Sequence, residues 1–169
     1  MKTTVVRQAR EGDLRSVCDL ADQINRQHHH ALPGIFASPD SHDRDREFWL
    51  KKIMQRDALF LVACRNEDIQ GFVTATIQEG AEIPFLHKLK VCKISTIVVD
   101  ASCRREGVGS LLMEHAERWA SSQGATEIRL EVMDFNATAQ EFYEQQRYVA
   151  SSHILCKPVT QQGVAGDSD

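Results

Sequence analysis

The alternation of apolar and polar residues divides the chain into short segments of recognisable period. Residues 3–9 (TTVVRQA) alternate as a first strand, which Gly12–Asp13 break. Asp13 is the expected N-cap of a helix that carries Leu14, Val17, Cys18, Ala21 and Ile24 on one side and runs to about Gln27. From His28 to Glu47 the period dissolves around Pro33, Gly34 and Pro39. A second helix resumes near residues 41–43 with Phe48, Trp49 and Ile53. ALFLVAC (58–64), the turn NEDIQG (66–71) and GFVTATIQE then read as a β-hairpin. VCKISTIVV (91–99) is a further strand. Val108, Leu111, Leu112, Ala116 and Trp119 mark an amphipathic helix ending at Gly124, a natural position for a helix-terminating glycine. ATEIRLEVM (125–133) alternates as a strand. Asn136 can cap a short helix bearing Ala139, Phe142 and Tyr143, and YVASSHILCKP (148–158) closes with more strand.

The order is therefore β α α β β β α β α β. A strand–helix–strand passage over 91–133 implies a crossover between two parallel strands, and the hairpin before it implies antiparallel pairs. The expected fold class is α/β in the α+β sense, a mixed, mostly antiparallel sheet flanked by helices. No internal repeat or long linker divides the chain, so residues 1–158 read as one domain. The polar end 159–169 reads as a disordered tail.

Composition narrows the function classes. Apolar residues make up 42% and charged residues 26% of 169 residues, ordinary for a globular domain with a full core. The net charge is −4, from 20 basic and 24 acidic residues, which argues against a nucleic-acid partner. Five cysteines at wide spacings, with no CxxC pair, suit reduced thiols rather than a disulfide framework. No apolar run reaches membrane-spanning length and MKTTVVRQAR has no apolar leader core, so a cytoplasmic protein without a membrane partner is expected.

The candidate chemistry gathers at residues 103–112, CRREGVGSLL, where a strand meets a helix. A P-loop needs a lysine and a Ser or Thr after its second glycine; Ser110 follows Gly109 without the lysine. A dinucleotide fingerprint needs a third glycine where Leu112 stands. Two readings of the loop remain open from its residues. One is a plain glycine turn with solvated arginines. The other is a pyrophosphate site, built from the N–H groups and partial positive charge of a helix start, with glycines admitting the phosphate and arginine adding charge.

Arg104-x-x-Gly107-x-Gly109, after ISTIVVD and before an amphipathic helix, resembles the acetyl-CoA-binding motif of the GNAT superfamily of N-acetyltransferases. NATAQEFYEQQRYV (136–149) is similar to that family's second recurring motif, an Asn at a helix start followed by an aromatic pair and a terminal strand. The element order matches from residue 3 to about residue 157. The resemblance implies that parallel strands near 94–99 and 127–132 splay apart around the pantetheine arm of acetyl-CoA. Backbone groups of Ile97, Val98 and Val99 would line that gap, pairing with the arm as an added strand would. The pyrophosphate would rest on the main chain of Arg104, Arg105, Glu106, Gly107, Val108, Gly109 and Ser110, leaving the side chains at 105, 106 and 108 free to vary. Asn136 would combine its capping role with a cofactor contact.

The implied reaction is direct attack of an amine on the thioester, giving an acyltransferase. Backbone N–H groups near Val98 or Val99 would hold the oxyanion. Tyr143 stands where the family often carries a tyrosine that protonates the leaving thiolate. Many members carry a basic glutamate on the strand before the loop. That strand here offers Ser95 and Thr96, which leaves Glu131 or a water chain as the base. The acceptor expected is a small amine, an amino-acid derivative or a peptide α-amino group. Asp40, Asp43, Asp45 and Glu47 favour a cation, diluted by Arg44, Arg46 and three histidines. A homodimer would be in keeping with the family. The missing strand carboxylate keeps a rival reading open, a non-catalytic acyl-CoA-binding sensor or interaction module. The HHH run at 28–30 invites a metal, but consecutive helical residues point about 100° apart and cannot converge on one ion. No metal is expected. Trp49 and Trp119 read as packing residues and Cys103 as incidental.

Overall fold

The computed structural model describes residues 3–39, 42–80 and 82–159. Its contacts divide the chain into two units, Met1–Phe135 and Asn136–Asp169. The first unit runs β1 (Val5–Gln8), α1 (Leu14–Ala31), α2 (His42–Met54), β2 (Ala58–Arg65), β3 (Asp68–Glu79), β4 (Lys90–Val99), α3 (Val108–Ser122) and β5 (Glu127–Arg129). Single 3-10 turns precede α1 and follow β4. The strands form one sheet in the order β1-β2-β3-β4-β5, antiparallel except for the parallel β4–β5 pair. This is the mixed α/β architecture the periodicity implies.

The sheet is buried on both faces, and the alternation of its central strands says how. Phe60, Val62, Phe72 and Val98 join Leu14, Val17, Leu20 and Ala21 of α1 and Trp49 and Ile53 of α2 in one core cluster. The Trp49, Phe60 and Phe72 rings meet edge-on or tilted with centroids 5.2 to 6.1 Å apart, the spacing aromatic pairs favour. Residues of opposite parity, Ala63, Gly71 and Val73, point to the other side. There α3 buries Val108, Leu112, Met113, Ala116 and Ala120. Gly124, with φ of +75°, ends α3 in the left-handed conformation that glycine allows.

The second unit holds α4 (Ala137–Gln145). Asn136 caps it as expected, its Oδ1 accepting the Ala139 N–H at 3.2 Å. The structure corrects the rest of this region. No strand forms over 148–158, and Val149, Ile154 and Leu155 stand at least 72% exposed. The β-prone residues there have no buried face to occupy, and propensity without packing does not make a strand. The strand expected over 125–133 also shortens to Glu127–Arg129, where its pairing with β4 stops.

Two N-terminal expectations change as well. The helix expected to stop near Gln27 continues to Ala31 and takes the three histidines inside it. Asp13 does not cap it: its carboxylate accepts the Arg10 N–H at 2.8 Å and two bonds from Arg7, at 2.7 and 2.9 Å. Trp49 is in the core as expected, whereas Trp119 is only half-buried. Residues 40, 41 and 160–169, including Asp40 and the expected tail beyond Val159, lie outside the described residues.

The Arg7–Asp13 fork staples β1 to the start of α1. The Arg7 hydrogen bonds hold the Asp13 carboxyl below its ordinary value of 3.8, against the opposing pull of burial. Asp13→Asn should cost about 2 kcal/mol at pH 7, the range of charge-assisted hydrogen bonds in a largely buried site. A folded-state pKa below the unfolded one contributes stability above the unfolded value and loses it as pH falls through the folded one. The difference between wild type and variant in urea unfolding should therefore be full at neutrality and close below pH 3.8.

Candidate functional site

Strand β4 carries the geometry on which the site depends. Its register with β3 runs Gly71 to Val99, Phe72 to Val98, Val73 to Ile97 and Thr74 to Thr96, then resumes at Ala75 to Ile94. Ser95 is the extra residue, a β-bulge of the kind that re-aims a strand. On the other edge β4 pairs with β5 only from Val91 to Lys93. From Ile94 to Val99, among the described residues, that edge has no strand beside it, so the expected splay begins where β4 bulges. Ile97, Val98 and Val99 all lie on this released stretch.

Beyond β4 the chain is held before it turns into α3. The Asp100 N–H donates to the Gln70 carbonyl at 2.8 Å. The Asp100 carboxylate accepts Nε2 of Gln23 and the Ser102 N–H, both at 2.8 Å, and also the Ser102 hydroxyl. Those bonds, led by the Ser102 hydroxyl and Gln23, keep its carboxyl below the ordinary value. The Ala101 N–H returns to Gln23 Oε1 at 3.1 Å. Gln23 thus ties the middle of α1 to the end of β4.

Arg104 through Gly107 form the loop. Arg105 (φ +64°) and Gly107 (φ +83°) both adopt the left-handed conformation. This suits Gly107 and is unusual for Arg105, so the backbone, more than the arginine side chain, defines the loop. The first hydrogen bond of α3 runs from Leu111 N–H to Gly107 carbonyl at 3.0 Å. The N–H groups of Val108 and Gly109, ahead of it, have no intrahelical acceptor by the geometry of a helix start. A Cβ at Gly107 would meet nothing within 4 Å, so the approach to that backbone is open. Left-handed turns followed by a helix start give an anion-binding concavity.

Side chains sort by role. Arg104 and Arg105 are exposed, Val108 is buried beneath the loop, and Glu106 pairs with Arg65 at 3.1 Å. Arg65, at the end of β2, also donates to Thr4 Oγ1 at 3.3 Å, and its Nε is buried without an acceptor. Arg65, Gln23 and Asp100 are the residues that the sequence reading missed. Their partners lie 41 and 77 residues away, and no local pattern announces such pairs.

Glu131 is exposed, two residues past the last pair of β5. In the second unit Tyr143 is half-buried, its ring 5.3 Å from Phe142 and 5.9 Å from Tyr148. Burial pushes its phenol up to about 12. The five cysteines are free thiols. Cys92 lies in the core of β4, where burial raises it to about 11, Cys156 is exposed and the others are half-buried. An open depression of about 510 Å³ is lined by Phe48, Lys51, Lys52 and Met54 of α2 and by Gln55 just beyond it, and brings no acid–base pair together. No group of three or more possible metal ligands occurs among the described residues, and no described helix is long and apolar enough to cross a membrane.

Comparison with known proteins shows which family and fold the chain shares. The family model described as the acetyltransferase (GNAT) family matches residues 18–148. Among curated proteins no relative matched. A mutant of the BH1408 protein from Bacillus halodurans superposes with a TM-score of 0.85 at 22% identity, over 92% of this chain and 99% of that one. The aminoglycoside N-acetyltransferase AAC(6')-Iy, in complex with CoA, superposes at 0.72 and 18% identity, over 94% and 96%. The aminoglycoside 6'-N-acetyltransferase AAC(6')-IG from Acinetobacter haemolyticus gives 0.72 at 17% identity, over 92% and 98%.

Proposed function

Because the chain belongs to the acetyltransferase (GNAT) family, and is thus an acyltransferase with a CoA-type co-substrate, we propose that it transfers acetyl from acetyl-CoA to the primary amine of a small molecule. The observation that carries this reading is the released edge of β4 leading into a left-handed loop and a helix start. The pyrophosphate takes the main chain from Arg104 to Ser110, with Arg104 supplying positive charge. The pantetheine amides pair with Ile97 and Val99 along the free edge of β4. Asn136, while capping α4, contacts the cofactor.

Chemistry then needs three groups. A base takes the proton of the ammonium. The neutral amine attacks the thioester carbonyl, whose oxyanion is met by backbone N–H near Val98 or Val99. The C–S bond breaks, Tyr143, protonated across the physiological range, gives its proton to the departing thiolate, and the nitrogen of the new amide loses its second proton, which restores the phenol. The small-molecule acceptor is supported by the aminoglycoside acetyltransferases among the similar structures. The acidic residues of the 40–47 segment add less than their number suggests, since Glu47 is tied to Lys51 at 2.8 Å.

The first test is thermal. Acetyl-CoA or CoA at about 100 times its Kd should stabilise the protein by about 2.7 kcal/mol and raise Tm, whereas ATP should not. Stabilisation by ATP with none by either CoA species would overturn the reading. Binding of acetyl-CoA without thiol release in the presence of any amine would favour the non-catalytic sensor.

A further inference from the structure

The three histidines at the end of α1 do three different things. His30 is exposed. His29, through Nδ1, bonds the Phe36 carbonyl at 2.8 Å, and the Ile35 and Phe36 N–H groups both return to the Leu32 carbonyl at 3.0 Å. The LPGIF segment is thereby folded back against the helix it has just left. That fold sets the Phe36 ring on the ring of His28, with centroids 4.6 Å apart and planes 29° from parallel. The Phe135 ring meets His28 from another side, edge-on at 5.5 Å.

Phe135 ends the stretch that follows β5, the same stretch that has parted from β4 after Arg129. Gln23, five residues before His28 on α1, is bonded to Asp100 at the other strand's end. Helix α1 therefore reaches both sides of the split, to Asp100 through Gln23 and to Phe135 through His28. No hydrogen bond from a described residue reaches the ring nitrogens of His28, in contrast to its neighbour His29.

We infer that His28 is the group that receives the proton of the acceptor amine. This deepens the acetyl-transfer reading and rests on it. The step balances simply: an N–H bond of the ammonium breaks and an N–H bond forms on the imidazole. The freed lone pair attacks the thioester, and the imidazolium returns its proton to water after the products leave. Phe36 and Phe135 hold the ring and exclude water from two of its sides.

The ring suits the task in a second respect. Burial lowers its pKa below the ordinary 6.5, so it is neutral and able to accept at physiological pH. The charged surroundings are sparse. LPGIF offers no titratable group, the residues three and four before His28 are Asn25 and Ile24, and Asp134 is the one acid beside Phe135. Burial is the cause of the shift.

The test compares wild type, His28→Gln, His28→Phe and Glu131→Gln with acetyl-CoA and two amine probes, sisomicin and benzylamine. His28→Phe keeps a flat ring between Phe36 and Phe135 and removes only the nitrogens. Both His28 variants should retain acetyl-CoA binding and Tm, lose on the order of 100-fold in kcat/KM, and lack the acid limb expected of wild type below pH 6.5. Full activity in His28→Phe, or the loss appearing in Glu131→Gln instead, would overturn the inference and leave acetyl transfer standing. If neither probe is turned over, the His28 ring resonances of the acetyl-CoA complex decide. Shifts on adding either amine support the assignment and their absence overturns it. A wild type that does not bind acetyl-CoA would remove the acetyl-transfer reading itself.

Discussion

Gly71→Ala should unfold at markedly lower urea than wild type, with a loss of about 3 kcal/mol, the upper part of the range for overpacking a core. A Cβ at this position would lie 2.5 Å from the Val98 carbonyl oxygen, 3.3 Å from the Val99 Cα and 3.3 Å from Leu112 Cδ1. Leu112 could rotate away, but two of the three obstacles are backbone of the paired strand. The strain has to be relieved by moving β4 away from β3 at Val98–Val99. That movement would carry on to Asp100, whose N–H bonds Gln70, and so to the start of the loop proposed to hold the pyrophosphate. Acetyl-CoA affinity should fall in the same variant beyond what its lower stability explains. Gly12→Ala is the matched control: a Cβ there meets nothing within 4 Å, so its midpoint should stay close to wild type. Equal midpoints for the two variants would show that β4 is not held as closely to β3 as the structure has it.

Gly71 also marks how far the fold was legible. The hairpin of β2 and β3 is readable because ALFLVAC and GFVTATIQE flank a polar turn, and α3 because its apolar residues recur at helical spacing before Gly124. Why residue 71 must be glycine is not readable, because the atoms that exclude a side chain belong to Val98, Val99 and Leu112. The loop proposed for the pyrophosphate is local, seven consecutive residues whose glycines and arginines allow either a plain turn or an anion site, and the family resemblance selects the second. Its supports are not. Arg65 reaches Glu106 and Gln23 reaches Asp100 only after the sheet has brought them together. The misjudged segments fail for a related reason: 125–133 and 148–158 alternate well enough for strands, but a strand also needs a partner edge, and pairing stops at Arg129. Helix geometry keeps the three histidines from converging on one ion once α1 is seen to run through Ala31, and the pairing of His28 with Phe36 and Phe135 likewise needed the folded chain.

Tyr143→Phe should lower kcat on a true acceptor by about 100-fold or more while leaving the KM for acetyl-CoA near its wild-type value, the pattern expected when a general acid is lost. The variant removes one oxygen and keeps the ring that packs at 5.3 Å from Phe142 and 5.9 Å from Tyr148, so α4 should remain intact. The phenol's shift keeps its proton in place and makes it a weaker acid, so the role rests on the substitution result and not on the shift. Burial holds its pKa at about 12, so the proton is in place at every pH at which the protein would work. An ordinary tyrosine would also be protonated at pH 7. What burial adds is the removal of competing water and a wider range before the group ionises. Wild-type kcat should accordingly show no basic limb from this residue until pH approaches 12, and loss of activity near pH 10 would mean that another group titrates. A thiolate leaves without help more readily than an alkoxide would, so the loss should be larger for poor acyl donors than for good ones. Comparing acetyl-CoA with a donor whose thiol has a lower pKa tests this directly: the penalty of Tyr143→Phe should shrink with the better leaving group. A penalty that is equal for both donors, or kcat unchanged with acetyl-CoA, would return Tyr143 to a packing role and assign protonation of the thiolate to water.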